Sequence, residues 1–160
     1  LDKSFNFLLE KKADMKNLNE KEFYALLSGY VDAEGCLCIT NNQKTVRYHF
    51  VLSSEDKEFL EEIKKYLEKY KYHISFRISK TKGSLAGISY PYKKDYYELR
   101  LYSKKEVLKL IKNLQLEHGE KIRWKELMFK LNDKKRWLEV KDEVSKLRKD
   151  IRREVIKCIE

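Results

Sequence analysis

The hydrophobic period of the chain changes at Gly35, and that change limits the folds open to it. Upstream, Phe23, Leu26, Leu27, Tyr30 and Val31 fall at the three-to-four spacing of a helix. Asn19 is a good N-cap, Glu22 stands at the reciprocal capping-box position, and Leu18 and Phe23 are spaced as a hydrophobic staple. Glycine often lies just past a helix end, and downstream of it the period is two. Over 36–42, Leu37 and Ile39 face one way and Cys38, Thr40 and Asn42 the other. Over 45–53, Tyr48, Phe50 and Leu52 oppose Thr45, Arg47, His49 and Val51. The polar run Asn41-Asn42-Gln43-Lys44 between the two stretches predicts a hairpin turn.

The alternation of periods then repeats. A helix is expected over 55–70, with Ser54 as its cap, acids in its first turn, lysines late, and Phe59, Leu60, Ile63, Leu67 and Tyr70 as its buried stripe. A third strand is expected over 72–80, a loop of glycine, serine and basic residues over 81–95, and a fourth strand over 96–103. The remainder reads as helices over 104–114, 119–131 and 134–159. In the last of these Trp137, Val140, Val144, Leu147 and Ile151 keep the helical spacing. The order α-ββ-α-ββ-α-α-α predicts an α+β fold: one four-stranded antiparallel sheet with helices on one face and extra C-terminal helices. Residues 1–18 read as an N-terminal extension and 19–160 as a single domain.

An antiparallel sheet can leave one face in water. Here that face would carry Thr40, Asn42, Arg47, His49, Ser75, Arg77, Glu98 and Arg100. These residues suit an ordinary wet face, and they equally suit a surface that bonds to base edges and phosphates. Charge bears on the choice. With 36 Lys and Arg against 26 Asp and Glu in 160 residues, the net charge is +10, which makes a polyanion the default partner, nucleic acid ahead of a membrane surface. No apolar run approaches the ~20 residues of a membrane span, and LDKSFNFLLEKKADMK does not read as a signal peptide. The three cysteines are odd in number, and Cys36-Leu37-Cys38 is too closely spaced for a usual zinc site. A reducing, intracellular compartment is expected: cytoplasm, nucleoid or an organelle.

The segment Leu27-Ser28-Gly29-Tyr30-Val31-Asp32-Ala33-Glu34-Gly35 does not obey the logic of stability. Two acids occupy a helix C-terminus, where the dipole is already negative. Gly29 costs a helix about 1 kcal/mol relative to Ala. Ala25, Ser28, Gly29 and Ala33 are small residues at three-four spacing, which allows a second helix backbone to approach closely. Two such helices would deliver carboxylates to a shared negative point, and a divalent cation such as Mg²⁺ relieves that repulsion. A tolerated pair of exposed acids beside an incidental glycine is the plainer reading of the same residues.

LSGYVDAEG closely resembles the LAGLIDADG signature of homing endonucleases, matching at Leu27, Gly29, Asp32, Ala33 and Gly35, with Glu34 as a conservative acidic replacement. The resemblance extends over about 19–132, because the order of elements after the motif is also that of the family. It implies a site-specific endonuclease that makes a double-strand break in a long, nearly palindromic DNA target. Glu34 is then the metal-binding catalytic carboxylate, and the Ala33 carbonyl also touches metal, Mg²⁺ with Mn²⁺ as a substitute. Ser54 corresponds to a polar residue that orders solvent, unless it is only a helix cap, and Lys121, with Arg123 as fallback, to a basic residue near the scissile phosphate. Single-motif members work as homodimers, which implies an interface at Ala25, Ser28, Gly29 and Asp32. Base contacts would come from Cys38, Thr40, Asn42, Arg47, His49, Ser75, Arg77 and Arg100, and phosphate contacts from Lys80 and Lys82. The reading frame would lie in an intron or intein. A splicing maturase that binds intron RNA and a non-catalytic DNA-binding regulator are alternative uses of the same scaffold.

Overall fold

The computed structural model describes residues 15–84 and 91–159. Five helices and four strands run in the order α1 (Glu20–Glu34), β1 (Gly35–Asn42), β2 (Thr45–Ser54), α2 (Lys57–Lys69), β3 (Ile74–Lys80), β4 (Tyr96–Leu101), α3 (Lys104–Asn113), α4 (Gly119–Lys130) and α5 (Lys141–Ile159). The strands form one sheet in the order β1-β2-β4-β3, and every neighbouring pair is antiparallel. Fold class and element order are as the sequence predicts.

Period two works as expected in the sheet. Leu37, Ile39, Tyr48, Phe50, Leu52, Leu99 and Leu101 are buried on one face. The helices cover that face with Phe23, Leu27 and Val31 of α1, Leu60, Ile63 and Leu67 of α2, Val107, Leu110 and Ile111 of α3, and Trp124 and Met128 of α4. Removing that apolar surface from water, at about 25 cal/mol per Å², is the main force holding the layers together. The Tyr48 hydroxyl crosses the layers and donates to the Met128 carbonyl at 2.6 Å, so the one polar atom of this buried ring is satisfied.

The capping box of α1 forms as predicted: the Asn19 side chain accepts from the Glu22 N–H, and the Glu22 carboxylate accepts from the Asn19 N–H. Residues 15–18, expected to belong to an extension, are docked. Met15 is buried, its carbonyl accepts from the Tyr66 hydroxyl at 2.6 Å, and the Leu18 N–H donates to the same hydroxyl at 2.8 Å. The remainder of that extension, 1–14, lies outside the described residues.

Gly35 ends α1 by close approach, since its backbone is extended (φ −77°, ψ 157°) and not left-handed. A Cβ there would stand 2.8 Å from both the Cα and the carbonyl oxygen of Val31, so only glycine lets the chain pass directly from helix into strand. The β1–β2 turn is a tight two-residue turn, with Gln43 at φ 49° and Lys44 at φ 69°. The Asn41 side chain supports it by accepting from the Lys44 N–H at 2.9 Å.

Strand β4, expected to reach 103, ends at Leu101, and Ser103 caps α3 by accepting from the Glu106 N–H. At three further boundaries a longer-range partner wins. Strand β2 continues to Ser54, which pairs with Tyr97, and the cap of α2 therefore moves to Asp56, whose side chain accepts from the Phe59 N–H at 3.0 Å. Strand β3 begins at Ile74: Lys71 takes φ 66°, and the Tyr72 N–H returns to the Leu67 carbonyl at 3.0 Å, so both belong to the exit from α2. The last helix begins at Lys141 and not near 134, because Arg136 forms a single β-bridge and Trp137–Glu139 a 3₁₀ turn before it. The Val46 N–H donates to the Lys135 carbonyl at 2.9 Å, the Trp137 N–H donates to the Lys44 carbonyl at 2.8 Å, and Thr45 bridges Arg136. That segment fills the slot beside the tip of β2 that the shorter β4 leaves open. On the other edge of the hairpin, α5 supplies Arg148, whose Nη2 donates to the Ile39 carbonyl of β1 at 2.8 Å.

Candidate functional site

The small residues of α1 divide between two faces. Ser28 is buried; its hydroxyl donates to the Tyr24 carbonyl at 2.7 Å and accepts from the Gln115 N–H at 2.9 Å. One turn on, the Asp32 carboxylate accepts from the N–H groups of Glu117 and His118 at 2.8 and 3.2 Å. Ser28 and Asp32, expected at an interface with a second copy, thus hold the chain's own α3–α4 connection. Ala25, Gly29 and Ala33 remain exposed, and a Cβ added at Gly29 would meet nothing within 4 Å.

The bonds of Asp32 explain one of the two misplaced acids. His118 is the N-cap residue of α4 and has no side-chain cap, so Asp32 satisfies N–H groups at that helix start from another element. A carboxylate facing the positive end of α4 also offsets its cost at the negative end of α1. In doing so it fixes where α4 begins, and therefore where Lys121, in its first turn, stands. Lys121 is half-buried, and its charge acts on Cys36 at the start of β1.

Glu34 has no comparable explanation. It is exposed, and among the described residues its carboxylate receives no hydrogen bond or ion pair. Ala33 beside it is exposed as well. Next along the chain, a hydrogen bond from Cys38, with the charges of Lys121 and Arg100, draws the Cys36 thiol down to about 6 against the effect of burial. The same contact and burial push Cys38 up. Among the described residues no three acidic, histidine or cysteine side chains come together to hold a metal.

The solvent-facing side of the sheet holds the expected polar set in register. Cys38 lies opposite His49 and Thr40 opposite Arg47; Arg100 lies between Val51 and Ser75, and Glu98 between Ser53 and Arg77. Asn42 closes the ladder opposite Thr45. The Thr40 hydroxyl and the His49 Nε2 are 2.7 Å apart. Burial, with Arg100 and Arg47 nearby, lowers the pKa of His49, so it presents a neutral imidazole at pH 7. Lys80, at the end of β3, lies over the rings of Tyr92 and Tyr96 at 4.8 and 5.6 Å, a cation–π arrangement that stiffens the base of the β3–β4 loop. Beyond it the Lys82 N–H donates to Asp95 at 2.7 Å and the Gly83 N–H to the Tyr92 carbonyl at 2.8 Å. The centre of that loop, 85–90, lies outside the described residues.

Ser54 is half-buried, and its hydroxyl accepts from the Asp56 N–H at 3.0 Å, so it supports the turn into α2 without capping it. Arg123, the fallback for Lys121, is committed elsewhere: its guanidinium makes a bidentate pair with Glu154 of α5 at 2.8 and 2.6 Å. Sequence reasoning gave no role to Arg148 or to the Asp32 bonds. Neither leaves a local signal, since each partner lies more than 80 residues away.

The family model of the LAGLIDADG-like domain matches residues 23–115, from the first turn of α1 to just past α3. The chain belongs to the LAGLIDADG family. Its LAGLIDADG motif is the helix end just described, with Glu34 exposed and Asp32 bonded inward. An uncharacterized protein of Methanocaldococcus jannaschii is 32% identical over 106 residues, covering 64% of this chain and 36% of that protein. In structure the chain is similar to the LAGLIDADG meganuclease I-AabMI, crystallised bound to uncleaved DNA, with a TM-score of 0.50 and 25% identity over 72% of this chain and 38% of that one. It also matches the LAGLIDADG homing endonuclease I-GzeII, in complex with its DNA target, at a TM-score of 0.45 and 22% identity, over 73% of this chain and 37% of that one. The chain thus spans well under half the length of each relative. Within the LAGLIDADG match lie the motif, the whole sheet and α3; Lys121 and the α5 clamp lie beyond it.

Proposed function

We propose that this chain is a site-specific DNA endonuclease that hydrolyses phosphodiesters with Mg²⁺ and works as a pair of copies. The observation that carries this reading is Glu34: an exposed carboxylate without an intrachain partner among the described residues, at the negative end of α1, on a protein with net charge +10. A protein that only bound DNA would gain nothing from such a charge. The donor set suits the ion. Glu34 and the Ala33 carbonyl offer exposed oxygens, and Mg²⁺ is usually held by one or two carboxylates together with water and substrate phosphate, not by an all-protein cage. Held there, Mg²⁺ would supply Lewis-acid assistance to phosphodiester hydrolysis.

The chain's own residues do the rest. Lys121, set by the Asp32 bonds, adds positive charge beside the helix end, where a scissile phosphate develops negative charge. The polar face of the sheet, with Thr40, Arg47, His49, Arg77 and Arg100, supplies donors and acceptors for base edges. Lys80 and Lys82, both exposed, would bond to phosphates. Pairing through Ala25, Gly29 and Ala33 would bring two Glu34 residues together; the open space at Gly29 is what a second helix would occupy. The DNA-bound state of I-AabMI, the structural relative with a TM-score of 0.50, supports the choice of DNA as partner.

The test is cleavage of a randomised duplex library by wild type and Glu34→Gln, with Mg²⁺ and with EDTA, and then sequencing of the ends. Defined ends from wild type with Mg²⁺ alone are expected. If wild type enriches sequences by binding yet cuts none of them, the nuclease reading fails and a regulator remains. The proposed pairing fails if sedimentation on the enriched duplex finds one copy per site.

A further inference from the structure

Glu98 lies on the solvent-facing side of the sheet, yet only 6% of it is exposed. Two arginines cover it. Arg77, directly opposite on β3, donates from Nε to the Glu98 Oε1 at 3.1 Å. Arg100, two residues along β4 on the same face, donates from Nε to Oε1 and from Nη2 to Oε2, the latter at 3.3 Å. Burial raises the carboxyl pKa, but the hydrogen bonds and charges of Arg100 and Arg77 outweigh it and hold Glu98 below its ordinary value. It is therefore an anion at neutral pH.

On a face meant to meet phosphates this anion works against affinity, because it cancels one of the cations whose counterions would be released on binding. A serine or threonine at 98 would leave both arginines free and the face more positive. What the carboxylate provides is direction. A guanidinium has five N–H donors in a rigid fork. Arg77 uses one of them on Glu98, and Arg100 uses two. The donors left over have their plane and heading fixed by a group that the sheet holds rigidly. An arginine so held can present two parallel N–H groups to the O6 and N7 of a guanine, whereas a freely rotating one meets any phosphate within reach.

Resting on the reading of this face as a DNA-binding surface, we infer that Glu98 is a specificity-determining positioning residue: it holds Arg77 and Arg100 in fixed orientations so that each reads a base edge, at a cost in overall affinity. The residue is not itself a base contact.

The experiment is binding selection from one randomised duplex library with wild type, Glu98→Gln, Arg77→Lys and Arg100→Lys, together with titration of each on an arbitrary duplex. The lysine variants keep charge and lose the fork, so they mark the base positions that each arginine reads. Glu98→Gln is expected to bind the arbitrary duplex more tightly than wild type. At the positions marked by one lysine variant or the other, its preference for the selected base should fall by a factor of about five or more. A Glu98→Gln protein that selects the wild-type sequence with undiminished preference overturns the inference. So do lysine variants that both select the wild-type sequence unchanged, an outcome that stands even if Glu98→Gln fails to fold. Failure of the wild type itself to select any sequence would instead remove the DNA reading on which the inference rests.

Discussion

The end of α1 and the middle of the sheet each place a carboxylate among cations, and they treat it in opposite ways. At the sheet centre, Glu98 is covered and bonded by two arginines. At the helix end, Glu34 is exposed and has no partner among the described residues. The hairpin links their neighbourhoods: Gly35, the residue after Glu34, is opposite Leu52, and the next residue, Ser53, is opposite Glu98. A paired carboxylate is a structural element whose loss the fold registers. An unpaired one, at a site where the helix dipole already disfavours it, makes sense when its partner comes from outside.

The contrast between the two carboxylates is open to attack at several residues. The largest expected effect is on activity: Glu34→Gln should lower cleavage by at least about 10²-fold while leaving the melting temperature where it was. A melt that drops markedly would show that Glu34 has a structural partner after all. Gly35→Ala attacks the junction that presents Glu34. With Val31 backbone atoms 2.8 Å from the new Cβ, a loss of about 1–3 kcal/mol is expected in denaturant unfolding. Asp32→Ala removes the neighbouring acid that does have partners. Leaving the Glu117 and His118 N–H groups unbonded should cost about 1–2 kcal/mol and also slow cleavage, because α4 and Lys121 lose their anchor. A full rate with lowered stability would separate Asp32 from Lys121.

The smallest effect concerns pH. Glu98 has its pKa lowered in the folded state, so the unfolded chain binds its proton first as pH falls. Its stabilisation is complete above the ordinary glutamate pKa, about 4.3, and is lost as pH falls through the lower folded value. Glu98→Gln should therefore flatten the acid limb of a stability-against-pH curve below about pH 4 and leave the neutral region shallow. An unchanged acid limb would mean that the two arginines do little for Glu98 in solution.

Most of the fold was legible because its signals are local. The switch from period 3.6 to period 2 at Gly35, the Asn19–Glu22 box and the alternation of Leu37, Ile39, Tyr48, Phe50 and Leu52 each depend on residues close together in sequence. What was missed depends on distance. Ser54 looks like a cap until β4 extends β2 past it and hands the role to Asp56. The stretch 134–140 has the spacing of a helix, but the N–H and carbonyl groups at the tip of β2, beyond the reach of β4, draw Lys135 and Trp137 into bridging hydrogen bonds and leave only a 3₁₀ turn at Trp137–Glu139. The site divides along the same line. Glu34 and the exposed stripe at Ala25 and Gly29 could be read from the motif alone. The inward roles of Ser28 and Asp32 required knowing that 115–118 folds back against α1. Glu98 and Arg100 were placed on one face by their spacing, but spacing cannot show that one holds the other.

The hairpin of β1 and β2 is secured on both sides by the C-terminal part of the chain, through 135–137 on one edge and Arg148 on the other. Its tip therefore cannot fray by itself. Opening it means first releasing the segment from 135 to α5, so the local and the larger unfolding events become one. Amide exchange at Val46 and in the first turns of α5 should then proceed at a common rate. A chain ending before Lys135 would keep its acidic helix end while the part of the sheet farthest from it loosened, so the two ends of one sheet would come to melt at different temperatures.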